Sequence, residues 1–188
     1  FRAFTRAYGD GIEADAYAVR LMASHGLSFI VANSFSKSMS VYGERAGALS
    51  FVCADRTEAD LVLGQLKATV RRNYSNPPLH AAGIVGRVLT DPKLRPQWEA
   101  EVAAMRDRIL AMRTRLHAVL SAKRPGRDFG YFLTQRGMFS YTGLTAAQVD
   151  RLRDEHAVYL VRSGRMCVAG LSTGNVERVA EAFAGVLG

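Results

Sequence analysis

Between Thr90 and Gly126 the apolar residues Leu94, Trp98, Val102, Met105, Ile109, Met112, Leu116 and Leu120 recur in steps of three and four. Such spacing holds one stripe of an α-helix apolar, and here it persists for about eight turns. Thr90-Asp91-Pro92 supplies a start, with Asp91 as cap and Pro92 at the first helical position, where its missing N–H costs nothing. Lys123-Arg124-Pro125-Gly126 supplies the stop. One helix of this length predicts a chain of two parts bridged through it.

The flanking segments predict alternating helices and strands. Ahead of the long helix come a helix over residues 14–24, an apolar run from Leu27 to Ala32, a second run from Ala46 to Ala54, and a helix over 57–70. In that last helix Leu61, Leu63, Leu66 and Val70 are expected to face inward. The two apolar runs read as buried strands of a parallel sheet. Asn73 to Pro78 is irregular, because consecutive prolines remove donors, and a helix resumes over 79–89. After the long helix the pattern predicts strands at 139–142, 158–161 and 165–169, a capped helix over 145–155 and a final helix over 175–187. Such alternation is an α/β or α+β arrangement.

Composition narrows the class. With 48% hydrophobic and 22% charged residues, the 188-residue chain is an ordinary globular sequence, and no apolar run reaches the roughly 20 residues that span a bilayer. Its N-terminal residues lack the pattern of a secretory signal, so a cytoplasmic location is expected. The net charge of +8 is scattered, with acids interleaved among the bases. A solvated surface explains it better than nucleic-acid binding. Cys53 and Cys167 each sit in an apolar segment and read as small buried core residues; no Cys or His lies at metal-ligand spacing.

Chemistry concentrates after the first apolar run, at Ser34-Phe35-Ser36-Lys37 and, eight residues on, Arg45. A lysine where a strand gives way to a loop can turn its amine inward, and two hydroxyls with a guanidinium can gather an anion beside it. An amine with a phosphate clamp suits a phosphorylated aldehyde held as a Schiff base. The same spacing also describes a solvated surface turn.

Three further segments decide between these. Ser34–Lys37 with Tyr42-Gly43-Glu44-Arg45 is joined by Arg71-Arg72-Asn73-Tyr74-Ser75-Asn76-Pro77-Pro78, by 136–144 (Arg-Gly-Met-Phe-Ser-Tyr-Thr-Gly-Leu), and by 163–170 (Ser-Gly-Arg-Met-Cys-Val-Ala-Gly). In this order they resemble the class I pyridoxal-phosphate aminotransferases, the aspartate and aromatic group, with 64–72 and Met166-Cys167 most like the bacterial tyrosine branch. The resemblance covers nearly the whole chain. It implies an α/β fold: the second half of a fold-type I large domain, mainly parallel sheet flanked by helices (residues 1–103), and a small α/β C-terminal domain (104–188) joined by the long helix.

It also implies roles. Lys37 would bind the cofactor pyridoxal 5′-phosphate as a Schiff base and serve as the proton-moving base. Ser34, Ser36 and Arg45 would hold the phosphate, with Tyr42 hydrogen-bonding nearby. Arg165 would grip the substrate α-carboxylate, because its planar fork meets two oxygens at once. Arg71 would reach into a neighbouring subunit's site to bind a distal carboxylate, and Phe139 would line the pocket. Simpler readings stand beside these: an ion pair for Arg165, a helix-dipole partner for Arg71, a core aromatic for Phe139. The implied partners are amino acid and 2-oxo acid substrates and a second copy of the chain, with no nucleic acid and no membrane.

The sequence departs from the family where an aspartate and a tyrosine normally meet the cofactor ring; those positions hold Arg2 and Thr5. The chain is expected to be a partial copy lacking the family's N-terminal half. Two functions follow: a transaminase passing the amino group of an aromatic or dicarboxylic amino acid to 2-oxoglutarate, or an inactive fragment binding cofactor weakly or not at all.

Overall fold

The structure, a computed structural model, describes residues 11–188. Arg2 and Thr5 lie outside the described residues. The chain divides into two compact units, Phe1–Val102 and Ala103–Gly188.

The first unit is built from α1 (Ile12–Ser24), β1 (Phe29–Ser34), β2 (Gly47–Val52), α2 (Arg56–Tyr74), α3 (His80–Thr90) and the first turns of α4 (Leu94–Lys123). α1 ends in a Schellman motif: Leu27 N–H donates to Met22 O, Gly26 N–H donates to Ala23 O, and Gly26 takes φ 68°. β1 and β2 pair from Phe29↔Val52 to Ser34↔Gly47, and the pairing is antiparallel. A parallel sheet was the expectation for these runs, and it is not found among the described residues. Parallel partners need a crossover, usually a helix, to return the chain to the same end. Residues 35–46 contain no helix and bring the chain straight back. Gly47 permits the close approach, because a Cβ there would stand 2.7 Å from the Asn33 carbonyl oxygen.

Two further expectations fail in this unit. α2 runs through Arg71, Arg72 and Asn73 to Tyr74 before the prolines end it, so the irregular segment is shorter than predicted. Its apolar stripe is only partly inward: Leu61 is 68% exposed and Leu63 is exposed too, Leu66 and Val70 are half-buried, and no residue of α2 is fully buried. Periodicity reports which face of a helix is apolar, and a separate element must cover that face before it becomes core.

The second unit contains the remainder of α4, α5 (Tyr131–Thr134), β3 (Phe139–Tyr141), α6 (Ala146–His156), β4 (Arg165–Cys167), a 3-10 turn (Val168–Gly170) and α7 (Val176–Val186). Its core joins Leu116 and Leu120 of α4 to Phe132, Leu152, Val168 and Phe183. Each such side chain contributes about 1.5–3 kcal/mol on burial. α6 begins in a capping box, Thr145 Oγ1 accepting from Gln148 N while Gln148 Oε1 accepts from Thr145 N. β3 and β4 pair antiparallel, Phe139↔Cys167 to Tyr141↔Arg165.

Residues 158–161 are not a strand. Val158 N–H bonds the end of α6 at Leu152 O and Val161 N–H bonds Arg165 O across a turn, so these amides join no ladder. The cysteines are not core residues either: Cys53 is half-buried and Cys167 exposed. On β4 alternation turns Met166 inward and Cys167 outward. Among the described residues, no helix is long and apolar enough to cross a membrane.

Candidate active site

In the first unit the strand end and the loop after it converge on one residue. The Lys37 Nζ stands over the Tyr42 ring, 4.4 Å from its centroid, a cation–π contact. Arg45 Nη1 donates to the Tyr42 carbonyl oxygen at 3.0 Å. Amine and guanidinium therefore share Tyr42, one on its ring and one on its backbone. Arg45 takes φ 53°, a left-handed conformation uncommon outside glycine, held within the turn that returns the chain to β2.

The two serines are joined directly. Ser34 Oγ lies 3.2 Å from Ser36 Oγ and accepts from Ser36 N at 3.3 Å, closing a small hydroxyl turn at the end of β1. Ser36 is 4% exposed, while Ser34, Lys37 and Arg45 are exposed. The structure thus shows two groups on this loop, Ser34 with Ser36 and Tyr42 with Lys37 and Arg45. Sequence reasoning missed a further support: Trp98 Nε1 donates to Ser38 O, the carbonyl next after Lys37.

Arg71 sits in the last turn of α2, exposed, and its Nη1 donates to Ser75 Oγ. Ser75 is the residue that caps α2 with φ 72°. Arg71 thus bonds the residue that ends its own helix.

In the second unit Arg165 and Phe139 meet on the outward face of the β3–β4 ribbon. The Arg165 guanidinium lies 5.0 Å from the Phe139 ring centroid. Both side chains are exposed, so Phe139 is not a core aromatic, and among the described residues Arg165 meets this ring and no acid. The turn ahead of Arg165 is fixed from two sides. Thr142 Oγ1 donates to Gly164 O at 2.8 Å, and Arg162 makes a bidentate pair with Asp150 of α6 at 3.0 and 2.7 Å. The Tyr131 hydroxyl donates to Thr142 O at 2.9 Å, and burial pushes its pKa upward. Sequence reasoning also missed Arg113, which is buried beneath this ribbon. Its position one residue after Met112, in the apolar stripe of α4, was the available signal. Among the described residues, no group of three His, Cys, Asp or Glu could hold a metal ion.

In the first unit a lysine, two joined hydroxyls and a guanidinium on one loop make a donor set suited to a carbonyl-bearing anion, and the second unit separately carries an arginine against an aromatic ring. The chain belongs to the aminotransferase class I and II family, whose model matches residues 4–183. Over 182 residues it is 62% identical to the aromatic-amino-acid aminotransferase of Escherichia coli (strain K12), covering 97% of this chain and 46% of that protein. The tyrosine aminotransferase of Klebsiella pneumoniae is 58% identical over the same shares. Among solved structures, an aromatic-amino-acid aminotransferase from Burkholderia pseudomallei, covalently bound to pyridoxal phosphate, matches with a TM-score of 0.93 at 54% identity, covering 98% of this chain and 46% of that one. The chain is of the α/β class of these relatives and spans about half their length.

Proposed function

We propose that the chain carries the lysine, the phosphate clamp and the substrate arginine of a pyridoxal-phosphate-dependent transaminase. The amino group of an aromatic or dicarboxylic amino acid is passed to 2-oxoglutarate. The observation that carries this reading is the convergence of Lys37 and Arg45 on Tyr42, in the loop that opens with the joined hydroxyls of Ser34 and Ser36. The names of the relatives support it. Residues 1–103 are taken as part of the cofactor-binding domain and 104–188 as the small domain.

Pyridoxal 5′-phosphate is an aldehyde with an anionic tail, and the donor set fits both ends. Lys37 offers a primary amine to the aldehyde carbon. Ser34 and Ser36 offer hydroxyls, and Arg45 offers a fork of five N–H donors of which the Tyr42 bond uses one. The cofactor, when bound, supplies an electron sink for the bond broken at the amino acid's α-carbon.

The chain's own residues do the rest. Lys37 Nζ would hold the cofactor at its aldehyde carbon and, as a free amine, would move the proton of the amino acid's α-carbon. Arg165 orients the α-carboxylate through two parallel hydrogen bonds, and the Phe139 ring against it keeps the guanidinium from swinging. Arg71 meets the distal carboxylate of a dicarboxylic substrate in the neighbouring subunit of a homodimer.

A second reading, that this chain alone binds cofactor weakly or not at all and does not turn over, is favoured by its spanning about half the relatives' length. Tyrosine or aspartate is mixed with 2-oxoglutarate, cofactor and the purified chain, and glutamate is measured beside the visible absorbance of bound cofactor. Turnover abolished by Lys37→Ala supports the first reading. A Lys37-dependent absorbance band without turnover supports the second. The absence of both band and turnover contradicts the first reading and leaves an inactive chain that binds no cofactor.

A further inference from the structure

Arg113 is 2% exposed, in the apolar stripe of α4 between Met112 and Leu116. A charge at such a position is costly to desolvate, and replacing buried ionic groups by apolar ones is often neutral or stabilising. What a buried guanidinium adds is direction. Nη1 donates to Phe132 O at 3.1 Å and to Ser140 Oγ at 2.6 Å. Nη2 donates to Gly137 O at 2.8 Å and to Phe139 O at 3.0 Å. All four acceptors belong to residues 132–140, the segment that leaves α5 and enters β3. Gly137 has φ 80°, a left-handed turn within that segment.

The held segment carries Phe139. Its carbonyl is fixed from below and the Ser140 side chain turns inward to Arg113, so alternation sends the Phe139 ring to the opposite face of the ribbon. There it lies against Arg165, whose strand pairs with β3 at Tyr141. The buried guanidinium and the exposed one are thus linked through the β3 backbone and an aromatic ring.

We propose that Arg113 is a positioning residue for the carboxylate-binding arginine: it sets the β3 edge, and with it the angle at which Phe139 holds Arg165. A lysine could not replace it, because an ammonium is a point donor whereas the guanidinium reaches four acceptors in one plane. The consequence for substrate rests on the reading of Arg165 as the carboxylate grip, and the test separates the two.

In the 188-residue chain the side-chain resonances of Arg165 are followed by NMR, with Phe139→Leu giving the position they take without the ring. In Arg113→Met they move most of the way to the Phe139→Leu position, and in Arg113→Lys part of the way, while the amides of α6 and α7 stay in place. 2-Oxoglutarate, added as the carboxylate probe, binds Arg113→Met about tenfold to a hundredfold more weakly than the parent chain. Arg165 resonances unmoved in both Arg113 variants overturn the proposal. Loss of the α6 and α7 dispersion in both variants also overturns it, since Arg113 would then hold the whole core. Should Arg165→Met bind 2-oxoglutarate as well as the parent chain does, the carboxylate assignment falls, and the Arg165 resonances still decide for or against Arg113.

Discussion

The indole N–H of Trp98 donates to the Ser38 carbonyl oxygen at 2.6 Å, tying the opening turns of α4 to the residue that follows Lys37. The bond joins positions 60 apart in the chain. Within the loop itself the recorded backbone bonds are local: Phe35 N–H to Ala46 O, Met39 N–H to Phe35 O and Ser40 N–H to Lys37 O. The Trp98 bond therefore ties the lysine loop to α4, while Glu44 of the same loop lies 3.9 Å from His80 of α3. Trp98→Phe keeps an aromatic body and removes the donor, at a cost of about 0.5–1.5 kcal/mol. Hydrogen exchange is expected to quicken at Phe35, Met39 and Ser40 while α7 is unchanged. Equal protection in parent and variant would show that the loop is held by other means.

Gly164 precedes Arg165 with φ 81°, and a Cβ there would stand 3.0 Å from the Leu144 carbonyl oxygen and 3.3 Å from Thr142 Oγ1. Gly164→Ala combines a disfavoured backbone conformation with a close contact to main chain. Chemical denaturation is expected to show a loss of about 1–3 kcal/mol. The Thr142–Gly164 bond should be the first to weaken. A variant as stable as the parent would mean that the turn relaxes freely and does not fix Arg165.

Tyr131 gives a pH signature. Burial holds its hydroxyl protonated and pushes the folded pKa above the ordinary value near 10. A group whose folded pKa is raised contributes stability that is complete below the unfolded pKa. That contribution is lost as pH climbs through the folded value. Urea denaturation between about pH 8 and pH 11 should show a steeper alkaline decline in the parent than in Tyr131→Phe. Parallel declines would place the alkaline sensitivity elsewhere.

The sequence made local chemistry legible. α4 runs from Leu94 to Lys123, against an expectation of 92–122, because Asp91 and the Pro125 break act on their immediate neighbours. Asp91 Oδ1 does accept from the Lys93 and Leu94 amides, and these bonds hold its carboxyl below the usual carboxylate range. The lysine cluster was legible for the same reason, since Ser34 to Arg45 is one contiguous loop. Coverage was not legible. The stripe of Leu61 and Leu63 looks like any core-facing stripe, yet it stands exposed. The pairing sense of β1 and β2 was also hidden, because an apolar run carries no record of its partner's direction. Trp98 and Arg113 act on residues far away in the chain, and only the polar interruption of an apolar stripe at Arg113 hinted at this.

Trapping with borohydride tests the central claim most directly. The chain is incubated with pyridoxal phosphate, reduced, digested and mapped by mass spectrometry. The pyridoxyl group should appear on the peptide containing Lys37, and labelling there should fall sharply in Arg45→Ala, which removes the phosphate grip. Label spread over Lys67, Lys93 and Lys123 as heavily as over Lys37, or unaffected by Arg45→Ala, would contradict the account.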